Sequence, residues 1–409
     1  MRFVIASLGF HPDVVGGAWR VAAAQATGLA RRGHTVHVVT AQPDPPRPTP
    51  ESRDGFTVHR FPQGSGRFHA NWRAENVAAR NVFASILDTK ESPLPTLFIQ
   101  HHPYLGPATH RIPPSIPILH IFHGPWAREY RFAQTARPRT LGRRCLDVVI
   151  VQVLHRVEAR TLRRARRILT LSRHFAERLT SWHPGRLPSV EIAHGGADLH
   201  HFVAFPERER LAIRQTYRLA PDDTLFIALR RLDPRMGLDI LIESFAQIAA
   251  RHPRAQLWLT GRGPAESALR GQVQQLRLDA SVRFLGFVPE AELPRLLNAA
   301  DVAVMPSLDL EGFGLATAEA LACGTPVLGS RAGATPELLE PLDPSLLFPP
   351  ASVHGLTSCL ENALSHPHAL PSRDRCAVYA RESFSWDAQI DACERNGVEL
   401  TSDAHPLAA

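Results

Sequence analysis

Two rhythms of apolar and polar positions alternate along this chain. Short apolar runs with buried-strand character, such as Arg2–Ser7 and His34–Thr40, are separated by stretches with apolar residues at helical spacing, the first being Ala18–Arg32. Gly33 follows that helix as a C-terminal stop. Strand, helix, strand is a βαβ opening, which implies a parallel sheet covered by helices. The same rhythm predicts a strand at Asp54–Phe61, a helix at Trp72–Leu87, strands at Leu97–Gln100, Ile118–Phe122 and Ile168–Ser172, a helix to Ser181, and a strand from Val190 into Gly195-Gly196. Gln42–Pro50 is proline-rich and reads as an irregular loop.

Around Phe205–Arg208 the chain leaves this first series and starts another. Strand Leu225–Leu229, loop Arg230–Gly237 and helix Leu238–Ala250 are followed by strand Gln256–Thr260, then Gly261-Arg262-Gly263-Pro264 and a helix. Strand Val282–Phe284, helix Glu290–Ala299, strand Asp301–Met305, helix Leu315–Ala322 and strand Pro326–Ser330 complete it. The reading is α/β, with two parallel-sheet domains in series and a cleft between their loop edges. A length of 409 residues agrees with two domains.

The stretch richest in candidate chemistry is MPSLDLEGFGLATAEALACGTPVLGS, from Met305. Gly312 and Gly314 flank Phe313 and let the backbone approach a ligand closely. The helix from Leu315 aims its first amides at whatever sits there, a ready anion site. Glu311 on the loop and Glu319 in the helix are placed to hold hydroxyl groups. Amides for phosphate and carboxylates for hydroxyls point to a phosphorylated sugar or a nucleotide. Elsewhere, Gly16 and Gly17 lie between the first strand and its helix, and His123 ends a parallel strand, where open α/β sheets bind ligands. A nicotinamide-binding domain wants G-x-G-x-x-G after the first strand and an acidic residue ending the second. LGFHPDVVGGAWR and VVTAQP supply neither.

Composition narrows the class. Hydrophobic residues at 44% and charged residues at 21% are those of a globular protein, and no apolar run reaches membrane-spanning length. MRFVIASLGFHPD reads as a first buried strand and not as a signal peptide. The five cysteines are scattered with no CxxC pair, arguing for a reducing compartment, taken as the cytoplasm, and against a disulfide framework or zinc site. Lys90 is the only lysine, so the net charge of +7 rests on arginine, whose planar fork binds phosphate oxygens two at a time.

Arg137–Arg167 is the most basic region. Leu146, Val149, Val153 and Val157 recur at helical spacing, with Arg156, Arg160, Arg163, Arg164 and Arg167 largely elsewhere. Such a helix packs on its own domain, and is also suited to peripheral contact with an anionic membrane or to a phosphorylated acceptor. No interleaved aromatics or recognisable module accompany it, so nucleic acid is not an expected partner.

Taken together, FHPDVVGGAWRVAAAQATGLARRGHTVHVVT, FHGPWARE, GGADLHHF, RRLDPRMGLDILIESF, GRGP, FLGFVPEAELPRLLNAADVAVMPS and EGFGLATAEALACGTPVLGS resemble the GT-B retaining glycosyltransferases of family 4, in a subfamily with HGPW and RRLxxRMG motifs. FSWDAQ resembles that family's terminal helix, which crosses back onto the first domain. The resemblance implies two Rossmann-like domains facing a central cleft: residues 1–204 on the acceptor side, 205–380 binding the nucleotide sugar, and 381–409 returning.

It also implies roles. Gly16 and Gly17 would lie by the donor diphosphate and the acceptor, and His123 near the donor sugar. Arg231 would pair with the diphosphate, joined by the amides of Leu315 and Ala316 and by Arg262. Glu311 with the amides of Gly312, Phe313 and Gly314 would hold the sugar hydroxyls, Glu319 the ribose, and the Val288 backbone the base. His123, Arg231 and Glu311 form the expected catalytic set. The expected reaction moves a sugar from a nucleoside diphosphate sugar to the hydroxyl of a lipid, glycan or small molecule, with retention. No D-x-D occurs, so neither a metal nor a cofactor is expected. One departure stands out: the family's lysine five residues after the arginine is replaced by Met236, which cannot neutralise a phosphate. The diphosphate would then rely on Arg231, the helix amides and Arg230, Arg235 or Arg262. The rival readings are a nucleotide-sugar epimerase of the same fold, and a non-catalytic protein that binds nucleotide sugars or a membrane partner.

Overall fold

The structure is a computed structural model that describes residues 1–64, 68–88, 94–135 and 141–404. The chain divides into two compact units. The first comprises Met1–Ala127, Cys145–Gly195 and Trp386–Ala409, and the second Arg128–Arg144 and Gly196–Ser385. The main crossing, after Gly195, precedes the expected boundary at Phe205. Ala197 already donates its N–H to the Phe384 carbonyl, and Phe205 to Asn298, both within the second unit.

The first unit is built on an eight-stranded sheet. Its strands are β1 (Arg2–Ala6), β2 (Thr35–Ala41), β3 (Glu51–Arg53), β4 (Phe56–Phe61), β5 (Thr96–Gln100), β6 (Ile118–Phe122), β7 (Arg167–Thr170) and β8 (Ser189–Ile192). They lie in the order β3-β4-β2-β1-β5-β6-β7-β8. All pairings are parallel except β3 with β4. β1, β5 and β6 are buried at every position, as strands covered on both faces must be. On one face the helix Phe68–Leu87 contributes Phe83 and Ile86 to a core with Val4, Val39, Phe61 and Phe98.

Asp54–Phe61 is not one strand, as expected from its apolar pattern, but part of a hairpin. Arg53 pairs with Phe56 across Asp54 and Gly55, whose φ values of 47° and 85° are those of a two-residue turn with both central residues left-handed. The Asp-Gly dipeptide carried that signal.

The terminal helix Asp387–Ala404 packs against the helix Gly17–Arg31 of the same unit. Polar contacts fix its register. Arg32 Nη1 reaches Asp391 at 2.7 Å, Arg167 Nη1 reaches Glu399 at 2.7 Å, and Gln25 Nε2 donates to Gln389 Oε1 at 2.9 Å.

The basic region forms the helix Leu141–Arg164; residues 136–140 lie outside the described residues. Its buried register is not the expected one. Leu146, Val149 and Val153 are 48%, 59% and 42% exposed, while Asp147, Ile150, Leu154, Glu158 and Leu162 face inward. The apolar repeat misled because Asp147 and Glu158, polar in sequence, occupy the packed face.

The second unit holds a six-stranded parallel sheet of β9 (Thr224–Leu229), β10 (Ala255–Thr260), β11 (Val282–Gly286), β12 (Val302–Met305), β13 (Val327–Ser330) and β14 (Leu347–Phe348), ordered β11-β10-β9-β12-β13-β14. The order reverses between β9 and β12, and in the first sheet between β1 and β5. Open parallel sheets bind ligands outside the carboxyl ends at such reversals. These two places select the candidate residues.

Candidate functional site

In the second unit the reversal brings together the loops leaving β9 and β12. The β9 loop starts with Arg230 and Arg231. Arg230 is buried, and its Nη2 donates to Ser307 Oγ at 2.6 Å, approaches Met236 Sδ at 2.8 Å, and is bonded to Glu311 Oε2. Ser307 Oγ in turn donates to that oxygen at 2.9 Å. Burial alone would raise the Glu311 carboxyl. The Arg230 charge and hydrogen bond, with Arg235 and Ser307, outweigh it and hold the group below its ordinary value. Glu311 is therefore an ionised carboxylate with one oxygen already committed.

This places Arg230 differently from the expectation that it serves the diphosphate. It also accounts for Met236. A lysine there would set an ammonium against a buried guanidinium, whereas the thioether accepts the contact. Arg235 is engaged as well, donating to the Leu310 carbonyl at 3.0 Å. Arg231 and Arg262 are exposed. Their loops are joined where Leu232 N–H donates to the Arg262 carbonyl at 3.1 Å. That crossing requires Gly261: its φ is 94°, and a Cβ there would lie 2.1 Å from the Arg230 carbonyl oxygen. The two exposed cations thus sit on loops clamped backbone to backbone.

The helix Leu315–Ala322 begins at Gly314, which is left-handed with φ 95° and ψ 57°. Thr317 N–H folds back onto the Gly314 carbonyl at 2.9 Å, so the outward amides of this terminus are those of Leu315 and Ala316. Phe313 is buried edge-on against Phe384, which anchors the Gly312–Gly314 turn. Glu319 is buried inside the helix; burial, and then the Glu319 charge, push the Cys323 thiol well up. Val288 is half-buried on the loop after β11, at the edge of the sheet. Arg231, Glu311 and the Leu315 terminus thus lie on the loops leaving the two strands of the reversal, with Arg262 on the next loop, after β10, and Val288 at the sheet's margin.

In the first unit Gly16 caps the helix Gly17–Arg31 beside the reversal, and a Cβ on it would lie 2.8 Å from the Trp19 ring. His123 leaves the end of β6. Its Nε2 lies 2.9 Å from His101 Nδ1, and His101 Nε2 lies 2.9 Å from Gln25 Oε1. Burial, then neighbouring imidazoles, push His123 down to about 3 and His101 well below the usual histidine range. Both rings are neutral at pH 7. The loop after His123 has a second anchor, Trp126 N–H donating to Glu158 Oε1 at 3.0 Å. Glu158 stands with His155 and His183, ligating atoms all within 4.8 Å. The two imidazoles lie 8° from parallel with ring centroids 4.8 Å apart.

Sequence reasoning missed Ser307, His101, Gln25 and Gln389. Ser307, four residues before Glu311, carried a weak signal. Gln389, 364 residues from Gln25, carried none.

The chain matches two family models: glycosyl transferases group 1 over residues 209–383, and the glycosyl transferase 4-like domain over residues 16–194. A GDP-mannose-dependent monoacylated alpha-(1-6)-phosphatidylinositol monomannoside mannosyltransferase of Corynebacterium glutamicum is 32% identical over 214 residues, 50% of this chain and 54% of that protein. The glycogen synthase of Mycobacterium tuberculosis is 26% identical over 96% of this chain and 93% of its own length. Among solved structures, the sucrose-phosphate synthase of Thermosynechococcus elongatus superposes with a TM-score of 0.82 at 22% identity, covering 98% of this chain and 99% of that one. Each half of the chain meets its own model, so the chain belongs to the group 1 glycosyl transferases, with a 4-like first domain and the GT-B fold.

Proposed function

We propose that the protein transfers a hexose from a nucleoside diphosphate sugar to an acceptor hydroxyl, with retention of configuration and without a bridging metal, in the synthesis of a glycolipid, polysaccharide or small glycoside. The observation that supports this reading is at the second sheet's reversal, where Arg230 at the end of β9 is bonded to Glu311 on the loop after β12, just ahead of the Leu315 helix terminus, with Arg231 and Arg262 exposed on the adjoining loops. Negative charge develops on the departing diphosphate, and fixed cations and amide dipoles stabilise it without reorganising. One related enzyme is named as a GDP-mannose-dependent mannosyltransferase and another as a glycogen synthase, which supports sugar transfer from such a donor. Glu319 serves the ribose, the Val288 backbone the base, and the Gly312–Gly314 turn the sugar, with Gly16, Gly17 and His123 as the first unit's contribution. Same-face attack, with a diphosphate oxygen taking the acceptor proton, assigns no general base to the protein.

The test is a thermal-shift screen of nucleoside diphosphates and their sugars, followed by a transfer assay with the ligand that stabilises most. Arg231→Ala and Glu319→Ala should each lower turnover by more than about tenfold, the loss of one charged contact. Near-full turnover in both would refute the assignment.

Peripheral membrane contact through the helix Leu141–Arg164 is part of the proposal. Leu146, Val148, Val149 and Val153 are exposed apolar residues on a helix that also exposes Arg144, Arg156, Arg160 and Arg163. No helix among the described residues is long and apolar enough to cross a membrane. A reducing compartment fits the five unpaired cysteines.

A further inference from the structure

The first unit contains a chain of hydrogen bonds whose direction is fixed at one end. It begins at the Ala193 carbonyl, which can only accept, and takes the Nε2 amide of Gln389. The Gln389 side-chain oxygen then faces Gln25 and accepts from its Nε2 at 2.9 Å. With its amide nitrogen so used, Gln25 presents Oε1 to His101 Nε2, again at 2.9 Å. An acceptor there requires the proton on His101 Nε2. In a neutral ring Nδ1 is then a lone pair. His123 Nε2, 2.9 Å from that lone pair, must be the donor. Gln25, Gln389 and His101 are all buried, so water does not compete for these bonds.

We infer that Gln389, acting through Gln25 and His101, is a positioning residue that holds His123 in the Nε2–H tautomer and leaves its Nδ1 an obligatory hydrogen-bond acceptor. Resting on the reading that His123 meets the donor sugar, this makes the contact one in which a sugar hydroxyl donates to Nδ1. A ligand offering only an acceptor at that place is disfavoured. The terminal helix therefore does more than close the first unit's surface: it sets the hydrogen-bond polarity of a candidate active-site histidine. The depressed affinity of both rings for protons keeps the relay directional at neutral pH, since a protonated His101 would donate from both nitrogens.

The test uses the full chain labelled in the histidine ring nitrogens. Long-range proton–nitrogen correlation reports each tautomer, and the His123 signals are those lost in His123→Ala. Wild type should show His123 with a protonated Nε2 and a bare Nδ1. A protonated Nδ1, or an even mixture, overturns the proposal without any variant having to fold. Gln389→Met and Gln25→Met keep side-chain length while removing the relay, and either should turn the His123 signal into a mixture. An unchanged signal in folded forms of both overturns it. In the transfer assay each variant should lower kcat about threefold to tenfold, the value of one neutral hydrogen bond, with a smaller change in donor KM. If His123→Ala retains full transfer while the tautomers behave as stated, the relay stands and the donor-sugar reading of His123 fails.

Discussion

Replacing Glu311 by Gln tests the second unit's central arrangement. The Arg230 and Glu311 side chains are 6% and 14% exposed, so this is a buried pair and not a surface bridge. Truncating one partner of such a pair leaves an uncompensated buried charge and costs about 3–5 kcal/mol. The glutamine oxygen can still accept from Arg230 and Ser307, which puts Glu311→Gln at the low end, about 3 kcal/mol. For a unit of this size each kcal/mol moves the midpoint by about 2–4 °C, so scanning calorimetry should show its transition falling by roughly 6–12 °C. The double variant Arg230→Met/Glu311→Gln removes the orphaned charge and places one more thioether beside Met236 and Met305. It should recover most of the loss, so the cycle should show a coupling of more than about 1 kcal/mol. Acid supplies a second check. Glu311 is held below its ordinary value of 4.5, so the pair's stabilisation is complete above that pH and is lost as pH falls through the lower folded value. The gap between wild type and Glu311→Gln should be constant above pH 4.5 and narrow below it. A loss under about 1 kcal/mol at pH 7, or one unaffected by removing Arg230, would refute the reasoning.

Gly314→Ala forces a side chain into a φ of 95° and brings a Cβ to 3.2 Å from Thr317 Oγ1, at a cost of about 1–3 kcal/mol; nucleoside diphosphates should then stabilise the protein less in a thermal-shift titration. The first unit should be the acid-labile one. His37 and His102 are pushed down to about 4, and His120 and His123 to about 3, chiefly by burial. Depressed histidines contribute stability above the unfolded value of 6.5 that is lost as pH falls toward the folded ones, so the unfolding free energy followed from pH 7 to 5 should drop with a slope above about 1.4 kcal/mol per pH unit. A flat profile would count against neutral buried rings. Val149→Glu with Val153→Glu should abolish sedimentation with anionic liposomes at low salt and leave turnover on a soluble acceptor unchanged.

The parts of this protein legible in its sequence are those governed by local rules. Leu315–Ala322 and Ile118–Phe122 begin and end where their residues indicate, because a left-handed glycine starts the one and a wholly buried apolar run defines the other. Gly33 closes the first helix at φ 82° for the same local reason. What escaped the sequence depended on distant partners. The helix Leu141–Arg164 turns Asp147 and Glu158 inward because Glu158 has Trp126 and His183 to meet, contacts invisible to a periodicity count. Gln25 and Gln389 look like ordinary polar positions until the terminal helix returns to the helix Gly17–Arg31.

Arg230 and Met236 show the same lesson at the level of chemistry. Read singly, Met236 is a lost cation and Arg230 a candidate replacement for it. The structure couples them: the guanidinium is spent on Glu311 and Ser307, and the thioether is what a buried arginine tolerates as a neighbour. The charge that holds Glu311 ionised then comes from the end of β9, while Arg231 and Arg262 stand exposed on clamped loops. Restoring a lysine at 236 alone should therefore weaken the protein rather than improve it, because two cations would share one carboxylate. Arg230→Gly with Met236→Lys moves the single cation instead, and it should recover the stability that Met236→Lys loses. If Met236→Lys alone raises both the thermal midpoint and turnover, the coupling between these positions does not exist.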